Sequence, residues 1–178
     1  MEEIELEDFK IGLPNKLPVS VIMEKRPSDH AWADFYYEAI GVVTSDQLQE
    51  DETKKIYELD GVERFLVSGL SLQLYVDECE SYYHNLMSPQ PGCYIVADEP
   101  ETADEMPEPF LVSLSFDEAH AYLEGDAQIY AVEIPPELYK WAEAFILTHY
   151  VATKKTKRKL KNWTEAPPPE ATEPGKSS

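Results

Sequence analysis

Carboxylates dominate the residues able to do chemistry. Asp77-Glu78 and Asp117-Glu118 sit in two similar stretches, Leu74-Tyr75-Val76-Asp77-Glu78-Cys79-Glu80-Ser81-Tyr82 and Leu114-Ser115-Phe116-Asp117-Glu118-Ala119-His120-Ala121-Tyr122, offset by 40 residues. Adjacent carboxylates can work as an acid/base pair. In a chain with 35 acidic side chains, however, a pair is uninformative by itself. The same residues suit a helix start, where Asp77 and Asp117 can cap the first amides and Glu78 and Glu118 place charge in the first turn. Each stretch therefore reads as a strand running into a helix. Tyr82 and Tyr122 are expected to pack inward with Cys79 and Ala119.

Other chemical groups are sparse. His30, His84, His120 and His149 share no metal-ligand spacing with one another or with Cys79 and Cys93. They read as surface or half-buried imidazoles, and no metal is expected. Two isolated cysteines make neither a disulfide framework nor a zinc knuckle. They fit small buried apolar side chains, with a single bridge between them as the alternative. Triads assemble from distant residues, but no Gly-x-Ser-x-Gly elbow is present. The seven glycines form neither a Gly-x-Gly-x-x-Gly nor a Walker pattern, so nucleotide binding by those loops is not expected. No cofactor is expected, and the chain reads as a binding protein rather than an enzyme.

Recognition is better supplied. Glu24-Lys25-Arg26 leaves a predicted strand just before Trp32, Phe35, Tyr36 and Tyr37. Trp, Tyr and Arg are the types enriched in interface hot spots; the alternative is that these rings fill the core. The candidate partner-binding residues are Glu24, Arg26, Trp32, Tyr37, Asp77, Glu78, Asp117 and Glu118. The formal net charge is −20, and it is uneven: residues 1–153 carry 32 acids and 8 bases, whereas 154–161 carry six bases and no acid. An acidic body repels phosphates and anionic lipid and attracts basic partners; surplus acid also keeps a protein soluble. The basic run could touch nucleic acid or anionic lipid; it reads better as a solvated end or a strap folding back on the acidic body, since that body opposes a nucleic acid.

These residues need elements to position them. Leu17 to Arg26 is a short β-branched, apolar run, hence a strand, broken by Pro27-Ser28-Asp29-His30. Residues 31–43 begin as a turn or short helix and end as a strand from about Tyr37. Thr44 to Lys55 is polar and reads as a surface loop. Lys55–Leu59 and Glu63–Ser68 flank Asp60-Gly61, a hairpin turn. After the two Asp-Glu stretches, Cys93–Ala97 and Ile129–Ile134 are strands, making two strand–helix–strand units. Asp98 to Pro109, with six acids and three prolines, is an exposed loop. Pro135-Pro136 opens an amphipathic helix to about Tyr150, with Leu138, Trp141, Ala142, Phe145 and Ile146 on one face. The predicted organisation is an N-terminal extension (1–16), one globular α+β domain (17–153), and a basic run with a disordered tail (154–178). Its sheet is expected to be mainly antiparallel, with the C-terminal helix packed across it. No apolar run approaches the ~20 residues of a membrane span, and residues 1–8 lack the features of a secretory signal. A cytoplasmic location is expected.

The stretch Leu17-Pro18-Val19-Ser20-Val21-Ile22-Met23-Glu24-Lys25-Arg26-Pro27, then Trp32 and Gly41-Val42, resembles the opening of a proteobacterial family of unassigned function. The resemblance continues through Leu74–Tyr82, Ser88-Pro89-Gln90-Pro91, Val112–Leu123 and Pro135–His149, covering about residues 17–161. Tyr37 stands where that family usually has a second tryptophan. The family is typically encoded beside formate dehydrogenase genes, and its members are sometimes labelled as the guanylyltransferase that completes the molybdenum cofactor. That enzyme needs a glycine-rich nucleotide loop, which this chain lacks. The resemblance implies an accessory or assembly protein for a molybdenum- or tungsten-dependent formate dehydrogenase, with the catalytic subunit or its leader as partner. A stoichiometric subunit of the mature enzyme and an enzyme of cofactor biosynthesis are the alternatives.

Overall fold

A computed structural model describes residues 14–102 and 104–165, of which 151–165 are described by backbone alone. The basic side chains of 154–161 and the tail from 166 onward lie outside the described residues, as does the extension up to residue 13.

Seven strands form one sheet in the order β2-β1-β4-β6-β5-β7, with β3 also on β4. β1 (Lys16–Pro27) and β2 (Phe35–Thr44) pair antiparallel, with a bulge at Ile22/Met23. β3 (Glu52–Leu59) and β4 (Val62–Gln73) form the expected hairpin. Its turn has φ 51° at Asp60 and 82° at Gly61, the positive pair a tight primed turn demands. The predicted loop 44–55 is shorter than expected, because β3 begins at Glu52. Polar residues are tolerated there since β3 is an exposed edge strand beside a long template.

β4 serves three neighbours. One edge pairs with β1 from Lys16↔Gln73 to Lys25↔Glu63. The other pairs with β3 up to Ser68 and then, in parallel, with β6 (Glu108–Ser113) at Leu72↔Val112. The switch falls at Gly69, φ 95°, a conformation that side chains with a Cβ resist. β5 (Gly92–Asp98) lies antiparallel between β6 and β7 (Ala127–Glu133). The pairing is thus mainly antiparallel. β7 also comes into contact with β2 without pairing to it, so the sheet nearly closes.

The two strand–helix–strand units interleave. β4 leads through a 3-10 turn (Val76–Glu78) and α1 (Cys79–Leu86) to β5. β6 leads through α2 (Phe116–His120) and a 3-10 turn (Ala121–Glu124) to β7. β6 lies between the strands of the first unit, and β5 between those of the second. The echo is therefore local: it builds two similar strand-to-helix corners, whose following strands β5 and β7 run in opposite directions. Both first strands end earlier than expected, at Gln73 and Ser113. The caps also differ from expectation. Ser115, not Asp117, caps α2, its Oγ accepting from the Glu118 amide at 3.0 Å. No side chain caps the turn at Asp77; Tyr75 N–H there donates to the Tyr82 hydroxyl at 2.9 Å. Tyr82, Cys79 and Ala119 are buried, but Tyr122 is exposed, its ring set edge-on to Phe110.

α3 (Pro136–Glu165) starts at Pro136 as its proline predicts. It continues well past Tyr150, because Lys, Arg, Ala and Leu favour helix and no glycine or proline intervenes before Pro167. Leu138, Trp141, Ala142, Phe145 and Ile146 join Val19, Val21, Met23, Leu72, Tyr82 and Ile95 in one core. Tyr139 donates to Leu86 O at 3.2 Å, Trp141 Nε1 to Pro14 O at 2.9 Å, and Tyr150 stacks on Tyr83. Cys79 and Cys93 are both buried and free.

Candidate functional site

Pro27 ends β1, and a loop turns the chain into β2. Three hydrogen bonds order this loop: Ser28 N–H to Asp34 O (3.0 Å), His30 N–H to Ser28 Oγ (3.1 Å) and Ala33 N–H to His30 O (3.4 Å). Trp32 sits at its tip, 82% exposed. The indole stacks on the His30 ring with centroids 4.7 Å apart. A tryptophan that exposed is unusual, since burying its surface is favourable wherever a partner surface exists.

Across from Trp32 runs the acidic β5–β6 connection. Glu99 N–H donates to Asp126 O, and Glu105 N–H to Thr102 O. Together the two segments bound a groove of about 460 Å³. Trp32, Phe35, Tyr36 and Tyr37 form one side and Glu99, Glu101 and Glu105 the other, with Gln128 from β7. The Tyr37 hydroxyl reaches Asp104 O at 3.5 Å. Burial, with the negative charges of Glu63 and Asp104, pushes the Tyr37 phenol up, so it stays a neutral donor. The ring of Phe35 already carries a cation, Lys25 Nζ at 4.0 Å from its centroid. Aromatic faces beside carboxylates are a chemistry for cationic side chains.

The remaining predicted residues lie elsewhere. Glu24 is 3% exposed and accepts from Arg26 Nε at 2.6 Å and Arg64 Nε at 2.9 Å. Burial raises its pKa, but the hydrogen bonds and charges of Arg64 and Arg26 outweigh this and hold the carboxyl below the usual range. Glu24 thus offers no free surface, whereas Arg26 stays partly exposed. Arg64 lies over the Tyr57 ring, centroid distance 4.7 Å.

Asp77, Glu78, Asp117 and Glu118 stand at the other end of the sheet, where β4 and β6 finish. The two glutamates converge. Ser115 Oγ donates to Glu78 at 2.7 Å and Ser113 Oγ to Glu118 at 2.6 Å; Ser81 Oγ lies 3.0 Å from Ser115 Oγ. Ser115 N–H completes the circuit to Ser113 Oγ at 2.9 Å. This network fastens the two helix starts to each other, with Asp77 and Asp117 exposed beside it. Sequence reasoning passed over Ser115, although Ser115-Phe116-Asp117-Glu118 is a capping-box pattern. It also passed over Asn85, for which a lone amide gives no signal.

The thiols offer no nucleophile. Burial, with Asp77 adding negative charge, pushes Cys79 up to about 11; burial pushes Cys93 up to about 12. Thiolate chemistry needs the opposite shift. Among the described residues, no group of three or more His, Cys, Asp or Glu is placed to hold a metal ion, and no helix is long and apolar enough to cross a membrane.

Fold and groove together define a small α+β protein with an aromatic, acid-rimmed groove at one end of a nearly closed sheet. The chain belongs to the family described as Protein of unknown function (DUF3305), whose profile matches residues 18–159. No curated protein matches it, and no solved structure does.

Proposed function

We propose that this protein is a non-catalytic accessory or assembly factor that holds a basic segment of its partner in the groove at Trp32. The observation that carries the reading is a tryptophan held out by an ordered loop, beside Tyr36 and facing Glu99, Glu101 and Glu105. A guanidinium suits such a place doubly: it stacks on rings and its planar fork pairs with carboxylates. The resemblance supplies the partner, the catalytic subunit of a molybdenum- or tungsten-dependent formate dehydrogenase, in the cytoplasm. Its basic twin-arginine leader is the segment the groove would hold until cofactor insertion is complete.

The test is calorimetry with a synthetic peptide carrying two adjacent arginines, against the same peptide with both replaced by glutamine. The arginine peptide should bind and the glutamine peptide should not. Trp32→Ala should weaken binding by about 10–30-fold, the loss typical of an aromatic hot spot. Its melting temperature should barely move, since an exposed ring contributes little to stability. Equal recovery of the catalytic subunit with and without its leader would rule the leader out. Tight binding of a nucleotide or pterin would replace the reading with an enzymatic one.

A further inference from the structure

We infer that the same groove also takes this chain's own basic run, Lys154–Lys161, from a second copy, so that self-docking and partner binding compete. This rests on the reading of the groove as a site for basic segments. Two observations carry it. The first is charge: the body up to residue 153 holds 32 acids against 8 bases, and the next eight residues hold six bases and no acid. At an ionic strength of ~0.15 M such opposed charges attract within about 8 Å. The run is thus the most complementary segment for Glu99, Glu101 and Glu105 that the chain itself contains.

The second observation is geometry. α3 is one helix from Pro136 to Glu165, so the run has no hinge on which to double back. Its anchors are Pro14, Leu86 and Tyr83. All three lie with the sheet end where β1 starts and β4 and β6 finish. The groove lies at the opposite end, where β1 ends at Pro27 and β5 at Asp98. At 1.5 Å per residue, Lys154–Lys161 stand about 6–17 Å beyond Tyr150. β5 alone, with seven residues, puts about 23 Å between the two ends. The run's helical backbone therefore ends short of that span, which leaves the run available to another copy's groove. The contact is head-to-tail, a heterologous interface rather than a two-fold one.

Sedimentation velocity on the full chain tests this, at low (~0.03 M) and high (~0.5 M) salt. The wild type should associate at low salt and be monomeric at high salt. A run variant (Lys154→Glu, Lys157→Glu, Arg158→Glu, Lys161→Glu) and a groove variant (Trp32→Ala, Glu101→Lys) should each stay monomeric alone. Mixed, they should form a dimer, because the run variant keeps an intact groove and the groove variant an intact run. The run variant should also bind the two-arginine peptide at least as tightly as wild type. A wild type that is monomeric throughout at low salt would overturn the inference, as would a groove variant that associates like wild type. Peptide binding without self-association would remove the self-docking alone. Self-association lost in the groove variant, without peptide binding, would support self-docking and remove the foreign basic partner.

Discussion

Asn85 should be the most costly polar side chain to remove. It is 6% exposed, at the end of α1. Its Nδ2 donates to Gly92 O at 2.8 Å and to Leu114 O at 3.0 Å, and its Oδ1 accepts from Gly92 N–H at 3.0 Å. One amide thus satisfies three main-chain groups, at the start of β5 and just beyond β6. Asn85→Ala strands all three. Each buried group left unpaired costs about 1–3 kcal/mol, and water entering the vacated space recovers part of that. The expected loss is about 3–5 kcal/mol, a large share of the ~5–15 kcal/mol that holds a domain together. At this size, a loss of that order lowers the melting temperature by roughly 10–15 °C. Urea unfolding followed by circular dichroism reads it directly, with the slope showing whether unfolding stays two-state. Asn85→Asp retains the acceptor for Gly92 N–H but turns a carboxylate toward two carbonyl oxygens, so it should not rescue. A loss below ~1 kcal/mol for Asn85→Ala would refute the reasoning, because it is less than one stranded group costs.

Glu24 makes stability depend on pH. Its folded pKa lies below that of an ordinary glutamate, so its contribution is fully present above the ordinary value and fades as pH falls through the lower folded pKa. Glu24→Gln should destabilise at pH 7 and approach wild type in strong acid; an equal loss at both pH values, in paired urea titrations, would contradict the ion-pair account. At Gly69, φ 95°, an added Cβ would lie 2.1 Å from Asp51 Oδ1 and 2.8 Å from Asp51 Cα. Gly69→Ala should cost at least ~2 kcal/mol. Gly61→Ala, whose Cβ would meet only Pro27 Cγ at 3.3 Å, should cost about 1 kcal/mol; thermal melts that reverse this order would show that the β3-to-β6 switch does not depend on Gly69.

Much of this protein was legible in its residues because short-range rules govern them. The β-branched, apolar run Val19 to Met23 is a strand by residue type, and Val19, Val21 and Met23 lie in the core. Asp60-Gly61 adopts its turn through local φ preferences, and Pro136 and the three- and four-residue spacing of Leu138, Trp141, Ala142 and Phe145 define a helix and its buried face. Other features depended on long-range partners that no local pattern encodes. The lengths of β3 and β4 follow from each other's register, and the order β4-β6-β5-β7 places strands between the halves of each repeat. The groove belongs to this second group. Trp32 and Tyr37 stood out by type, and the acidic stretch 98–109 by composition. Only closure of the sheet brings them onto one groove, while the pairing of β1 with β4 sets Glu24 opposite Arg64 and beside Arg26. Residue types restrict what a surface can bind; the tertiary fold decides which of them share a surface, because pairing between distant strands is a property of the whole chain's packing.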